Sequence, residues 1–336
     1  MYNPSDVGKK GSIFGLPYNL EESDLIVLPV HLDVTVSYGH GTSKAPDLIL
    51  DESSQLDLSL LSILNPWELK IAMYDRTVIA SQNEIQRGRA KNIIRALEAG
   101  REPEADQLGY VNEYCTQTHE KIEEIATSLL NLGKVVGVIG GDHSSPLGLM
   151  KALASKQSFG ILQIDAHMDL RNAYEGFEYS HASIMYNALQ VEQITSLTQV
   201  GIRDFCEEEE AYIQKSEKPI HVFYDERIFK NQVQGRSWDT QVDEIVKTLP
   251  ENVYVSFDMD GLDPSLCPNT GTPVPGGLKF NETIYLLEKV VKSGKKIVGF
   301  DVCEAGTDSW DANVAARILF RLAAFTGVSN KLLSFR

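Results

Sequence analysis

Three short segments carry most of the chemistry that residue type and spacing can reveal. They are Gly140-Gly141-Asp142-His143-Ser144, Asp165-Ala166-His167-Met168-Asp169 and Asp258-Met259-Asp260-Gly261-Leu262-Asp263-Pro264. In extended chain, residues two apart point to the same side. The D-x-H-x-D spacing therefore aims Asp165, His167 and Asp169 at one place, and Asp258 with Asp260 repeats the device. These groups and His143 would repel one another or lose solvation if nothing neutralised them. A divalent cation removes that cost. Six ligands, four of them carboxylates, exceed the needs of one transition ion. They suit a pair of cations about 3.5–4 Å apart. Carboxylates with some imidazole and no thiolate favour Mn²⁺-like ions, with Fe, Co, Ni or Zn as the other candidates. Such a pair lowers the pKa of a bound water, so the chemistry expected is attack by hydroxide on an electrophilic centre.

Each segment follows an apolar run rich in β-branched residues, at 134–139, 159–164 and 252–257. Further runs of this kind lie at 24–30, 69–74, 197–202, 219–224 and 296–300. Runs such as Val135-Val136-Gly137-Val138-Ile139 suit strands buried on both faces, the condition of a parallel sheet. Helical patterns separate them at 84–97, 113–132, 146–155, 183–189, 241–249, 281–293 and 312–325. The alternation predicts an α/β fold with a mostly parallel sheet. In such folds ligands bind beyond the carboxyl ends of the strands, where all three segments would meet. No Pro/Gly/Ser-rich linker divides the chain. One catalytic domain over 23–336 is expected, with residues 1–22 as an N-terminal arm. The run Glu207-Glu208-Glu209-Glu210 reads as solvated charge at a helix start.

The 336 residues are 43% hydrophobic and 23% charged, which excludes a disordered chain or a small disulfide scaffold. Lys plus Arg is 31 and Asp plus Glu is 47, a net charge of −16. Acidic surfaces repel phosphate backbones, so no nucleic-acid partner is expected, and a cationic ligand is favoured. Cys115, Cys206, Cys267 and Cys303 are scattered without a C-x-x-C pair, which argues against a zinc-thiolate site or a disulfide framework. With no long apolar run and no charged leader, a cytoplasmic protein with no membrane partner is expected.

The segments GGDHS, DAHMD and SFDMDGLDPS resemble the three signature motifs of the ureohydrolase family, which includes arginase and agmatinase. The likeness extends from about Val30 to the C-terminus and takes in Ser37-Tyr38-Gly39-His40-Gly41-Thr42 and the stretch from Thr270 to Gly277. It implies a three-layer α/β/α domain around a parallel eight-stranded sheet, assembled as a homo-oligomer, trimer or hexamer. It also implies two Mn²⁺ ions per chain. His143, Asp165, Asp169 and Asp258 would hold one and His167, Asp165, Asp258 and Asp260 the other. The reaction implied is hydrolysis of a guanidino compound to urea and an amine. Glu304 matches the family's guanidinium-binding glutamate, and a carboxylate there suits two N–H donors. His181 matches a loop histidine proposed as a proton shuttle, for which a near-neutral pKa is suited. Asp142 is expected to orient the catalytic group, and Thr272 to hydrogen-bond a site carboxylate.

The chain departs from arginases after the second motif. It reads Leu170-Arg171-Asn172-Ala173-Tyr174-Glu175-Gly176-Phe177-Glu178-Tyr179-Ser180-His181 and lacks the Ser-Gly-Asn part that binds an amino acid. This favours the agmatinase-like branch, with agmatine the first substrate candidate and guanidine, arginine or a guanidino acid as alternatives. Arg171 either binds a substrate carboxylate or pairs with Glu175. Tyr174, Phe177 and Tyr179 either narrow the pocket or pack within the loop. A single-zinc deacetylase would use fewer carboxylates, and a non-catalytic binding protein on the same fold is the remote alternative.

Overall fold

The computed structural model describes residues 7–79 and 81–336. Among the described residues ten strands form: β1 (Leu25–Pro29), β2 (Ile63–Leu64), β3 (Ile71–Met73), β4 (Val135–Ile139), β5 (Phe159–Ile164), β6 (Ile194–Ile202), β7 (Ile220–Tyr224), β8 (Asn252–Phe257), β9 (Lys296–Val302) and β10 (Ser334–Phe335). Eight of them make one parallel sheet in the order β3-β1-β4-β9-β8-β5-β6-β7. Every run read as a strand from the sequence lies in this sheet. The short β2 and β10 pair antiparallel apart from it.

Ten α-helices among the described residues complete the layers: α1 (Ala45–Ser53), α2 (Asn83–Glu98), α3 (Ala105–Asn131), α4 (Leu147–Ala154), α5 (Ile184–Leu189), α6 (Glu207–Lys215), α7 (Asp225–Val233), α8 (Trp238–Thr248), α9 (Phe280–Lys292) and α10 (Ser309–Ser329). Strand side chains alternate between two apolar cores. Leu25 and Val27 join the core that holds Leu319 and Phe325 of α10, while Ile26 and Leu28 join the core that holds Ile122 of α3 and Leu149 of α4. That alternation is why the strands are apolar throughout: each face has its own helices to meet.

Three elements exceed the sequence reading. Helices α1 and α7 are each nine residues long, too short for a sustained apolar period. The first opens on Pro46 in its first turn, and the second buries only Ile228. Helix α3 starts eight residues before the expected Glu113. Within the expected arm, Ile13, Phe14 and Leu16 are buried in the first core. The Phe14 ring lies 5.0 Å from Phe320, and its N–H donates to Ser53 Oγ at 2.9 Å. Residues 1–6 of that arm lie outside the described residues.

Candidate metal centre and active-site cavity

The four central neighbours β4, β9, β8 and β5 all end at one edge of the sheet. His143, Glu304, Asp258 and Asp165 follow those ends, so the register of four strands brings distant residues together. His143 Nδ1 faces Asp165 Oδ2 at 3.0 Å, Asp169 Oδ2 at 3.0 Å and Asp258 Oδ2 at 3.3 Å. His167 Nδ1 faces Asp260 Oδ2 at 3.0 Å and Asp165 Oδ1 at 3.6 Å. Two donor groups result, His143-Asp165-Asp258 and Asp165-His167-Asp260, with donor atoms in each within 4.8 Å of one another. Asp165 belongs to both, whereas the family resemblance has both Asp165 and Asp258 bridging.

The electrostatics of this cluster call for positive charge. Burial alone would suppress the charged imidazole of His143, yet Asp165 and Asp169 outweigh it and hold the group well above its ordinary value. Against the same burial cost, Asp260 and Asp165 push His167 up to about 12. Burial, then the charges of Asp260 and Asp165, raises Asp258 well above the carboxylate range. Burial, then Asp165, raises Asp169 to about 7. Asp165 goes the other way: His143 and His167 overcome its burial and lower it.

The tautomer of His143 gives an independent test of fit. Ser256 Oγ donates its one hydrogen to Asp301 Oδ2 at 2.9 Å, so it accepts from His143 Nε2 at 2.8 Å. That leaves Nδ1 facing three carboxylate oxygens, where it holds a proton unless a metal ion displaces it. A cation belongs between them, and a metal ion fits this donor set. The partner that orients His143 is therefore Ser256, backed by Asp301. Asp142 does not take that role: its Oδ1 accepts from Ser144 N at 3.0 Å and Ser144 Oγ at 2.6 Å, because its side chain turns away from the ring into the loop that follows. Burial, with the nearby Asp33, outweighs the Ser144 hydrogen bonds and raises Asp142 to about 7.

Other supports escaped the sequence reading. Gln163 Nε2 donates to Asp165 Oδ2 at 2.7 Å and is itself fixed by Gln199 through its Oε1 at 2.6 Å. Arg203 spreads its guanidinium over the carbonyls of Asp260, Leu262 and Val274, at 2.6, 3.2 and 3.0 Å, locking the loop after β8. Glu209 is buried rather than solvated. Its Oε1 accepts from Leu170 N at 3.0 Å and its Oε2 from Cys206 N at 3.0 Å, because the third residue of α6 reaches back over the helix start. A signal existed for some of these. Gln163 and Ser256 are lone polar residues in apolar strands, two before a candidate ligand and so on its face.

A cavity of about 190 Å³ opens beside the donors, lined by His167, Asp169, Arg171, Tyr174, His181 and Thr272 among others. Thr272 Oγ1 donates to Asp260 Oδ2 at 3.3 Å, and Gly39 N donates to Gly271 O at 3.0 Å, which joins the two outlying motifs. His181 is half-buried on the cavity wall. Burial, then the positive His167 and His143, pushes its pKa down to about 4. Arg171 does not pair with Glu175. Its guanidinium lies 4.8 Å over the Tyr174 ring, and among the described residues no carboxylate pairs with it. Phe177 is fully buried and packs within the protein, while Tyr174 faces the cavity. Glu304 is buried and has a left-handed backbone conformation, φ 60°. Its Oε1 accepts from His143 N at 3.0 Å, and its buried Oε2 has no hydrogen-bond partner among the described residues. Gly141 makes this packing possible, since a Cβ there would stand 2.0 Å from the Leu32 carbonyl oxygen.

The motifs, sheet order and donor set coincide with a known family. Its model, described as the arginase family, matches residues 23–324. The chain belongs to the arginase family. Its chemistry is accordingly that of a ureohydrolase acting on guanidino compounds. An N(1)-aminopropylagmatine ureohydrolase from Thermus thermophilus is 32% identical over 321 residues, 95% of this chain and 94% of that one. An agmatinase from Pyrococcus horikoshii is 28% identical over 307 residues, 90% of this chain and 92% of that one. Among solved structures, agmatine ureohydrolase of Thermoplasma volcanium superposes with a TM-score of 0.67 at 26% identity, covering 96% of each chain. No described helix is long and apolar enough to cross a membrane.

Proposed function

We propose that this arginase-family chain hydrolyses an agmatine-like substrate, a guanidine with an unbranched amine tail, to urea and the free amine. The observation that carries the reading is the pair of donor groups sharing Asp165 beside a cavity that His167 and Asp169 line. Two divalent ions, Mn²⁺ by the hardness of the donors, would neutralise these carboxylates and supply an activated water. His143, Asp165, Asp169 and Asp258 would hold one, and His167, Asp165 and Asp260 the other.

The chain's own residues do the rest. The unpartnered Glu304 Oε2 accepts N–H donors from the planar guanidinium, a charge-assisted contact that orients its carbon toward the donor groups. Thr272 steadies Asp260 Oδ2, the oxygen that also faces His167. His181 relays a proton toward the leaving amine nitrogen. A neutral ring at this position must accept a proton before it can give one. Tyr174 and the stacked Arg171 form the wall along which the tail runs. The relatives named for agmatine and N(1)-aminopropylagmatine support an amine tail over an amino-acid tail, as does the missing Ser-Gly-Asn stretch. We place the working protein in the cytoplasm as a homo-oligomer, in line with the family resemblance.

The test is urea release by manganese-loaded protein offered agmatine, N(1)-aminopropylagmatine, arginine, guanidinobutyrate and guanidine side by side. Urea from the amine-tailed guanidines is the expected result. Preference for arginine or guanidinobutyrate would move Arg171 to carboxylate recognition. Urea from none of the five, with metal bound, would refute the reading.

A further inference from the structure

We propose that Asn112 of α3 is a positioning residue for recognition of the substrate tail, acting through the turn that carries Tyr174. The proposal rests on the ureohydrolase reading above. Tyr174 and Phe177 exchange backbone hydrogen bonds of 3.2 and 2.9 Å across Glu175 and Gly176. Both central residues are left-handed, with φ 56° and 85°, which makes a two-residue hairpin turn. Gly176 accepts this conformation freely, but Glu175 does not, so the turn persists only where its surroundings hold it.

Helix α3 supplies that hold. Asn112 Nδ2 donates to Gly176 O at 3.3 Å, and Asn112 Oδ1 accepts from Glu178 N at 3.2 Å. The amide thus grips the returning chain on either side of the buried Phe177. One helical turn earlier, Leu108 closes on Gly176: a Cβ there would meet Leu108 Cδ2 at 3.0 Å. On the far side Asn187 Nδ2 donates to Glu178 O at 2.9 Å. The turn's other arm carries Tyr174, which lines the cavity beneath Arg171 and stands edge-on to His181 with ring centroids 6.3 Å apart. Asn112 does not itself line that cavity. The metal donors take their hydrogen bonds from other elements, so releasing the clamp moves the wall and leaves the donors in place.

The experiment compares metal-loaded wild type, Asn112→Ala and Asn112→Asp with guanidine, which has no tail, and with agmatine. For Asn112→Ala the expected result is a KM for agmatine raised about tenfold, kcat held within about twofold and kcat/KM for guanidine unchanged within about twofold. Asn112→Asp keeps the acceptor for Glu178 N and loses the donor to Gly176 O, so it should fall between. Hydrogen exchange of the amides of 174–179 should quicken in Asn112→Ala while that of 165–169 does not. Equal losses on both substrates, a fall in kcat at constant KM, or unchanged exchange at 174–179 would each overturn the clamp and leave the ureohydrolase reading standing. Absence of urea from every guanidine in wild type would overturn that reading, and the role in tail recognition with it, whatever the exchange shows.

Discussion

Replacing Glu209 with Gln tests how a buried carboxylate outside the donor set holds the site together. Glu209 is 3% exposed and accepts two backbone N–H groups, Leu170 N and Cys206 N, each at 3.0 Å. Leu170 directly follows Asp169, whose backbone is left-handed at φ 55°. A left-handed non-glycine residue costs about 1–3 kcal/mol and needs its surroundings to enforce it. A glutamine matches the shape but offers one acceptor oxygen and an NH₂ group. One backbone N–H would then face N–H donors, and the other would keep only a neutral bond. Charge-assisted bonds to buried backbone contribute about 1.5–3 kcal/mol each, so the loss is about 2–4 kcal/mol. At an unfolding entropy near 2.1 cal/mol/K per residue, a chain this long would lose only about 3–6 °C in Tm. The larger consequence is local. Asp169 would relax out of its conformation, and its Oδ2 would leave the 3.0 Å contact with His143 Nδ1. We expect Glu209→Gln to retain less than two metal ions after dialysis and to release urea at least about tenfold more slowly, since a lost ligand of about 1.4 kcal/mol already costs that factor. Thermal unfolding, metal content and urea release are read on the same preparation. Wild-type values in all three would show that the Leu170 loop is fixed elsewhere and refute the reasoning.

Glu304→Gln should keep its metal and lose about a hundredfold in kcat/KM, because a charge-assisted guanidinium contact becomes neutral; unchanged kinetics would remove Glu304 from substrate binding. His181→Ala should turn over more slowly and recover in part when imidazole is added, and an unaltered rate would exclude the relay. His119 is fully buried, and burial, then the positive Lys151, lowers its pKa from 6.5 to about 3. The unfolded chain takes up that proton first, so stability is complete above about pH 6.5 and is lost as the pH falls toward 3, by about 2 kcal/mol between pH 7 and 5. Chemical denaturation in the presence of a chelator should show that slope flattened in His119→Gln; an identical slope would assign the acid sensitivity to other groups.

The sheet was legible because its strands must be apolar on both faces, so each run of Val, Ile and Leu stood out from the amphipathic helices. The donors were legible for a related reason. Carboxylates and imidazoles spaced by two at the ends of buried strands have no inexpensive structural explanation. The supports were much harder to read. Ser256 orients His143 from 113 positions away, and that pairing exists only because β4 and β8 flank β9. Glu209 hides in a run of four glutamates, and nothing in the run tells which one turns inward. The helix start does tell, since its third residue reaches the capping N–H, but Cys206 stands where Ser or Thr would mark the motif. The first turns of α3 escaped because Asp106, Gly109 and Tyr110 are exposed and only Val111 between 106 and 112 is buried, so the apolar period does not begin until later.

Those first turns explain why reaction type and tail preference separate so cleanly in this fold. The reacting end of the substrate meets groups held by strand register. Moving any one of them means disturbing β4, β5, β8 or β9, each hydrogen-bonded on both sides. In the proposed reading the tail meets Tyr174 and Arg171, on a loop held by a two-residue turn and by Asn112 and Leu108 of α3. A change at Asn112 or Leu108 would alter the wall without touching a ligand, at the cost of a few exposed hydrogen bonds. The relatives named for agmatine and for its longer aminopropyl derivative are 28% and 32% identical to this chain. On this physical argument this chain's own preference between the two tails should be set by the segment 171–180 and the helix that grips it, and changes at Leu108 or Asn112 should shift that preference while leaving metal content unchanged.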